Sequence, residues 1–134
     1  MTLLWCAAGV QGATAVAYNG GNFKGVQSSG ILNMTAGHFS GLQTSSAFNF
    51  AGEGFSGMQA SVVNYSAGSF SGFQLGVVNI AHEFGGFQLG VLNLAKKFDS
   101  GLQLGVFNYA EKVDGCPIGI FNYFDEADGY PIGL

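Results

Sequence analysis

Hydrophobic and polar positions follow one short unit that recurs along the chain. In the copy from Phe73 to Val77, apolar residues alternate with non-apolar ones, and this period of two is typical of a β-strand. Val77 and Val78 are then both apolar, which shifts the phase of the pattern. Because the alternation is intact before the shift, we predict a bend there, with one strand ending near Val77 and another running from about Val78 to Ala81.

Glutamine and asparagine mark the unit. Glutamine recurs at steps of 16, 16, 16, 15, 14 and 15 residues, at Gln11, Gln27, Gln43, Gln59, Gln74, Gln88 and Gln103. Asparagine follows at Asn33, Asn49, Asn64, Asn79, Asn93, Asn108 and Asn122, and proline replaces glutamine at Pro117 and Pro131. Such self-similarity indicates a repeat architecture. We predict a single repeat domain over residues 1–134, with looser 16-residue units in 1–71 and tighter 14–15-residue units in 72–134.

The repeat predicts an all-β fold. Glycine recurs inside every unit, and each glycine costs a helix about 1 kcal/mol relative to alanine. In an antiparallel meander or small β-barrel, equivalent turns would alternate between two ends, and the sequence shows no such two-repeat alternation. Stacked amide ladders explain why the Gln and Asn positions are kept. We therefore predict a parallel β-solenoid of about nine coils with two short strands each, and keep the meander or barrel as the alternative.

Both amide series, from Gln27 to Gln103 and from Asn33 to Asn122, are predicted to be structural ladders, although the pattern leaves open the side to which the glutamines point. An aromatic residue also precedes a glycine in most units, at Phe23, Phe39, Phe55, Phe70, Phe84 and Phe98. Stacked units would place these rings in a column, which favours core or corner packing.

Composition narrows the function. Charged residues are 9% of the chain, against about 25% in typical soluble domains. Apolar residues are 48%, so we expect other copies, a membrane or another part of the polypeptide to cover much of the surface. The net charge of −4 and the lack of arginine argue against nucleic-acid binding.

Chemistry-bearing residues are few. His38 and His82 lie in predicted turns without a second ligand at metal spacing, which favours solvated side chains. Acidic residues cluster late in the chain, where they form either a weak cation site or, as we prefer, solubilising charges: Glu111, Asp114, Asp125, Glu126 and Asp128. Cys6 and Cys116 lie too many coils apart for a disulfide. We predict no catalytic, cofactor-binding or metal-binding residues, and no enzyme.

The unit Gly-apolar-Gln-apolar-Gly-apolar-apolar-Asn-x-Ala resembles the repeats of bacterial surface-repeat proteins, which read GLQLGLVNxA. The likeness is close over residues 72–134 and looser over residues 9–71. It implies an exported protein of the cell surface or outer membrane, of unassigned function and without catalytic residues to carry over. The opening segment of this chain has no positively charged region typical of a signal peptide.

Three functions are weighed. The leading hypothesis is a structural or adhesive module that self-associates through its ends or apolar faces, since Leu134 stops the chain in mid-repeat and an open strand edge attracts further strands. The alternative is a small membrane-associated barrel whose lipid-facing residues are Leu75, Leu89, Leu104, Ile118 and Ile132. The third is a flat face binding ice or glycan, suggested only by Ser28, Thr44 and Ser61.

Overall fold

The computed structural model describes residues 2–4 and 7–133. It is an all-β parallel solenoid of about eight stacked turns, with 79% of the chain in strands. Every strand pairing in the described residues is parallel, which confirms the predicted solenoid; neither the antiparallel meander nor the barrel is formed. The sequence predicts about nine coils, one more than the structure has, because its units include the one that starts at Gly129. That unit contributes only two strand residues.

The described residues form one sheet of thirteen strands. Their bounds are β1 Thr2–Leu4, β2 Ala7–Ala13, β3 Val16–Asn19, β4 Phe23–Ser29, β5 Leu32–Thr35, β6 His38–Thr44, β7 Phe48–Ala51, β8 Gly54–Ala60, β9 Val63–Leu75, β10 Val78–Leu89, β11 Leu92–Val113, β12 Cys116–Ala127 and β13 Ile132–Gly133.

The first half has two short strands per coil, as predicted. A seven-residue strand carries the glutamine and a four-residue strand carries the asparagine position, for example β6 and β7. From β9 onward the asparagine strand of one coil continues without a break into the glutamine strand that follows, and β11 runs for 22 residues. The predicted bend is present, since β9 ends at Leu75 and β10 begins at Val78.

Changes in unit length are absorbed at the turns, so the ladders stay in register. Three residues separate β6 from β7, but only Ser61 and Val62 separate β8 from β9, which shortens the step from 16 to 15 residues. Asp99 then adds one residue beyond Phe98, where the pairing with the preceding coil shifts. Identical amides therefore remain paired across coils of different length.

One recurring glycine is required by the backbone. The glycine two residues before each glutamine has a positive φ, between 113° and 134°, at Gly9, Gly25, Gly41, Gly57, Gly72, Gly86 and Gly101. This region disfavours side chains, and a Cβ on Gly72 would also collide with the carbonyl oxygen of Gly57 in the coil before it. The repeated glycine is therefore set by backbone conformation and by close coil-to-coil approach.

The interior of the solenoid is polar where most protein cores are apolar. Gln74 and Asn79 are completely buried. Phe73, which lies between Gly72 and Gln74, is 50% exposed. Burial of the amides repeats in every coil from Gln11 to Asn108. The apolar part of the core is a column of phenylalanines with a column of small residues, mostly alanine. The glutamines thus point inward, a direction that the sequence left open.

Candidate functional site

The glutamine ladder links neighbouring coils and also crosses the interior. Each Nε2 donates a hydrogen bond to the Oε1 of the glutamine one coil earlier, at 2.6–2.9 Å throughout. In Gln43 and Gln74, a second bond from the same nitrogen reaches the opposite strand, to the carbonyl of Phe50 at 3.2 Å and to that of Ile80 at 3.3 Å. Because both N–H groups of these two side chains are used, their buried amides do not carry the full cost of desolvation.

The asparagine ladder closes the bend between the two strands. Asn79 Nδ2 donates to Asn93 Oδ1 of the next coil at 2.9 Å and to the carbonyl of Leu89 at 3.0 Å. Asn93 makes the same two bonds, to Asn108 Oδ1 and to the carbonyl of Leu104. The accepting carbonyl belongs to the residue directly after the glutamine or proline position of the next coil. The side chain therefore holds the bend from the inside.

The two ladders run in opposite directions. The glutamines donate toward the N-terminal end of the solenoid, and the asparagines donate toward the C-terminal end. Each ladder consequently ends on an unpaired acceptor. Pro117 occupies the next glutamine position and leaves Gln103 Oε1 without a donor, while Ala17 precedes Asn33 in its column and leaves Asn33 Oδ1 without one. Proline marks the end of the glutamine ladder, as the sequence indicated.

The predicted phenylalanine column is part of the core. Neighbouring rings from Phe23 to Phe84 are stacked with centroids 5.0–5.5 Å apart and interplanar angles of 6–14°. The angle widens to 39° between Phe84 and Phe98, immediately before the extra residue Asp99. Opposite the glutamines, the strand carries small buried residues such as Thr35, whose hydroxyl donates to Gln27 Oε1 at 3.2 Å.

The outer surface carries many large apolar side chains and has three parts. The Gln face consists of the residues directly before and after each glutamine, and the Asn face consists of those directly before and after each asparagine. Between them lies the ridge, a column at the bend that is formed by Ile31, Ala47, Val62, Val77, Val91, Val106 and Ile120. Most ridge side chains are about half exposed, as Val77 is at 48%.

Aromatic rings also stack on the outside. On the Gln face, Phe73 and Phe87 lie 5.1 Å apart. The Asn face carries the pairs Phe50–Tyr65, Phe107–Phe121 and Tyr109–Tyr123, all nearly parallel at 5.0–5.6 Å. These columns follow from parallel stacking of like residues, and they produce continuous apolar strips along the solenoid.

All charges of the chain lie on one edge. The four lysines and the eight acidic residues all occupy the segments that start three residues after the asparagine position and end before the glycine that lies two residues ahead of the next glutamine or proline position. We call this the charged edge. Neighbouring coils bring opposite charges together there, since Glu83 is aligned with Lys97 and Lys112 with Glu126. The Gln face, the ridge and the Asn face contain no charged residue.

Local electrostatics are modest at this edge. Lys97 Nζ lies 2.9 Å from Asp99 Oδ1, and both side chains are well exposed, so the pair contributes little to stability. Hydrogen bonding and charge attraction from Asp99 raise the pKa of Lys97. Desolvation of the ring raises the pKa of Tyr109, and the carboxylates of Asp125 and Glu111 raise it further.

One open cavity on the charged edge brings several residues with possible chemistry together, and it is lined by His82, Glu111, Asp125 and Glu126 with neighbouring lysines. His38, His82 and the late acidic residues lie on the exposed charged edge. Across residues 2–4 and 7–133, no three His, Cys, Asp or Glu side chains are grouped so as to hold a metal ion. Cys116 lies in the outer column next to Leu102. Cys6 is outside the described residues, so the absence of a disulfide stays a prediction.

The polar residues considered for an ice- or glycan-binding face do not share one row. Ser28 and Thr44 are aligned, with Thr44 Oγ1 donating to Ser28 Oγ at 3.3 Å, but the position after Thr44 in this column is Ala60. Ser61 lies in the bend, where its hydroxyl bonds to Asn64 Oδ1 at 2.9 Å and to the carbonyl of Val63 at 2.6 Å. The three residues therefore do not form one aligned row, and an ice- or glycan-binding face stays a prediction.

The fold defines the chain as a parallel β-solenoid with internal amide ladders. Comparison with protein-family models, with curated proteins and with solved structures finds no match to this chain. Within the described residues, no helix of the length and hydrophobicity needed to span a membrane is present.

Proposed function

We propose that the protein is a non-catalytic structural or adhesive module that docks through its apolar outer faces, on copies of itself or on another surface. One observation carries this proposal: large apolar side chains point outward along the whole solenoid while amides fill its interior. Exposed apolar patches larger than a few hundred Å² are rare on monomeric soluble proteins and mark interaction sites. The ridge and its two faces form such a patch.

The repetition of the surface supports a docking role over a catalytic one. On the apolar faces, the coils from β9 to β11 present side chains of the same kind at aligned positions, so these faces offer a strip of like groups, whereas an enzyme needs a pocket of unlike ones. A regular strip suits binding to an extended partner. It also lets affinity grow with the number of coils engaged, because each further coil adds similar apolar area.

Association of the purified chain tests the proposal. Light scattering over a range of protein concentrations should show a mass that rises with concentration, or assemblies at all concentrations. The double variant V77D/V91D places two charges on the ridge and should reduce association. The control S71D/S100D adds the same charge at exposed positions before the glycines and should associate like the unmodified chain. A monodisperse monomer that binds no surface would contradict the proposal.

The site of action is proposed from the resemblance to bacterial surface repeats. We place the protein outside the cytoplasm, at the cell surface or outer membrane, where an apolar docking strip would meet its partner. Protease treatment of intact cells expressing the full gene, followed by immunodetection, tests this placement. Loss of the signal in intact cells supports it, and protection until the cells are lysed contradicts it.

A further inference from the structure

We propose that the partner surface is a neutral lipid bilayer, into whose interfacial region the ridge inserts with the solenoid axis along the membrane plane. The charged edge stays in water. This inference rests on the proposed function, because it names the surface on which the apolar faces dock. It differs from the barrel alternative, since no strand crosses the membrane and the inserted part is the bend between two parallel strands.

Charge distribution is the first argument. No Lys, Asp or Glu lies on the ridge or on either flanking face in any coil, and every such residue lies on the charged edge. The ridge and its two uncharged faces are complementary to hydrocarbon, and the charged edge is complementary to water. The net charge of −4 gives no attraction to anionic lipid, and it is the reason for proposing a neutral bilayer.

Side-chain types change in order with distance from the ridge. The ridge is aliphatic, with exposed Val62, Val77, Val91 and Ile120. On the Asn face, the column next to the ridge is the one directly before the asparagines, and it consists of valine, leucine and phenylalanine. The column directly after the asparagines lies farther from the ridge and holds every tyrosine of the chain except Tyr130. Tyrosine prefers the level of lipid headgroups, where its ring is in an apolar layer and its hydroxyl in a polar one.

The depth available also matches an interfacial position. The first charged position follows the position before the asparagine by four residue steps, for example Lys96 after Leu92. At about 3.3 Å per residue this corresponds to about 13 Å of strand. A strand inclined to the membrane plane reaches less deep, close to the roughly 5–10 Å at which amphipathic elements lie in an interface.

The backbone at the ridge is already hydrogen-bonded, which hydrocarbon requires of any inserted segment. Val77 N donates to the carbonyl of Val62, and Val91 N donates to that of Val77, at 2.9 and 3.0 Å. Gly90 N donates to the carbonyl of Leu104, which the Asn93 side chain also reaches from the inside. The N–H groups of the bend and the carbonyls of the ridge residues Val62 and Val77 are therefore paired between coils, which lowers the cost of placing the bend in an apolar layer.

The shape of the surface favours lipid over a second copy. The most exposed apolar column is a convex bend between two faces, whereas stable protein interfaces need closely complementary surfaces. A fluid interface adapts to a ridge along its whole length. A second copy docked on the same ridge is the competing outcome that the experiments below distinguish.

Flotation with phosphatidylcholine vesicles tests the inference on the full chain. We expect the unmodified protein and the S71D/S100D control to float with the vesicles, and V77D/V91D to lose at least about tenfold in partitioning, because charges in an apolar layer are strongly disfavoured. Circular dichroism and thermal unfolding of the three proteins check that the fold is kept. If the variant is unfolded, V77S/V91S replaces it, with a smaller loss expected.

Depth-dependent quenching gives a second readout. In a background where the single tryptophan is removed by W5F, V91W places a probe on the ridge and Y109W places one in the tyrosine column. Lipids brominated deep in the acyl chain should quench the ridge probe more strongly, and lipids brominated near the headgroup should quench the other. Equal quenching at both positions, or none, overturns the inference.

Measuring the oligomeric state distinguishes failure of the lipid inference from failure of the proposed docking function. Absence from floated vesicles, together with assemblies that V77D/V91D disrupts, overturns the lipid inference and leaves docking on a second copy as the function. Absence of both vesicle binding and assembly overturns the proposed function as well. Flotation of the unmodified chain with ridge-dependent loss supports both.

Discussion

Replacing Gln74 by leucine should reveal what the glutamine ladder contributes to stability. Gln74 donates to Gln59 Oε1 at 2.9 Å and accepts from Gln88 Nε2 at 2.6 Å, and all three side chains are fully buried. The Q74L variant therefore leaves one acceptor and one donor of the ladder unpaired in the interior, and it also removes the 3.3 Å bond from Gln74 Nε2 to the carbonyl of Ile80. Each such buried group costs about 1–3 kcal/mol, so we expect a loss of about 2–6 kcal/mol in the free energy of unfolding.

The end of the ladder provides a matched control. Gln103 already has an unpaired Oε1, and its only ladder bond runs from Nε2 to Gln88 Oε1 at 2.6 Å. The Q103L variant removes one unpaired acceptor and creates another, so the number of unpaired buried atoms does not change. The change in side-chain shape and apolar burial is the same as in Q74L. We therefore expect Q103L to cost about 1 kcal/mol or less.

Urea unfolding followed by circular dichroism measures both variants, with stability taken from linear extrapolation at comparable slopes. The decisive quantity is the difference between Q74L and Q103L, in which the shape term cancels. A difference of at least about 2 kcal/mol is expected from the two additional unpaired groups. Equal losses at the two positions would refute the assignment of stability to ladder hydrogen bonds.

Other substitutions separate backbone, core and surface roles. Gly72→Ala combines a φ of 128° with a collision against the carbonyl of the coil before it, so it should lower the free energy of unfolding by more than about 3 kcal/mol or prevent folding. Gly85→Ala is the control, because its Cβ meets no atom nearer than 3.6 Å, and it should change this free energy by less than about 1 kcal/mol. Phe84→Ala removes a buried ring and should lower the free energy of unfolding in urea by about 3–5 kcal/mol. Phe73→Ala removes a ring that is 50% exposed on the outer column, so it should lower stability far less and should instead weaken the association measured by light scattering. Asn93→Ala removes three bonds at the bend, the two that Asn93 donates and the one that it accepts from Asn79, and it should accelerate amide hydrogen exchange of the two bend residues that follow the glutamine strand.

The repeat itself made most of the fold predictable. The steps between glutamines indicated coils, and the lack of a two-repeat alternation indicated parallel stacking. Conservation of the Gln59 and Asn64 positions across units indicated ladders, which the side-chain bonds confirm. The shift of phase at Val77 gave the place of the bend. Each of these signals comes from comparing one unit with another, and this single sequence contains several units to compare.

The inside and outside of the coil were not predictable in the same way. A period of two separates two faces, but it does not say which one is buried. The usual expectation would bury Leu75 and Leu89, yet the interior takes Gln74 and Gln88 because stacking gives every amide a partner one coil away. The apolar residues are then left outside. That reversal is the origin of the docking surface, and no single unit contains the information.

Hydrogen exchange of the side-chain carboxamides tests the central claim most directly, because it reports whether amides face inward and bond between coils. Asn22, on an exposed turn, serves as the internal reference. We predict that the Nε2 protons of Gln59, Gln74 and Gln88, followed by NMR, exchange slower than the Asn22 amide by a factor on the order of 100 or more. Exchange of these glutamine amides at the rate of Asn22 would contradict the inward ladders.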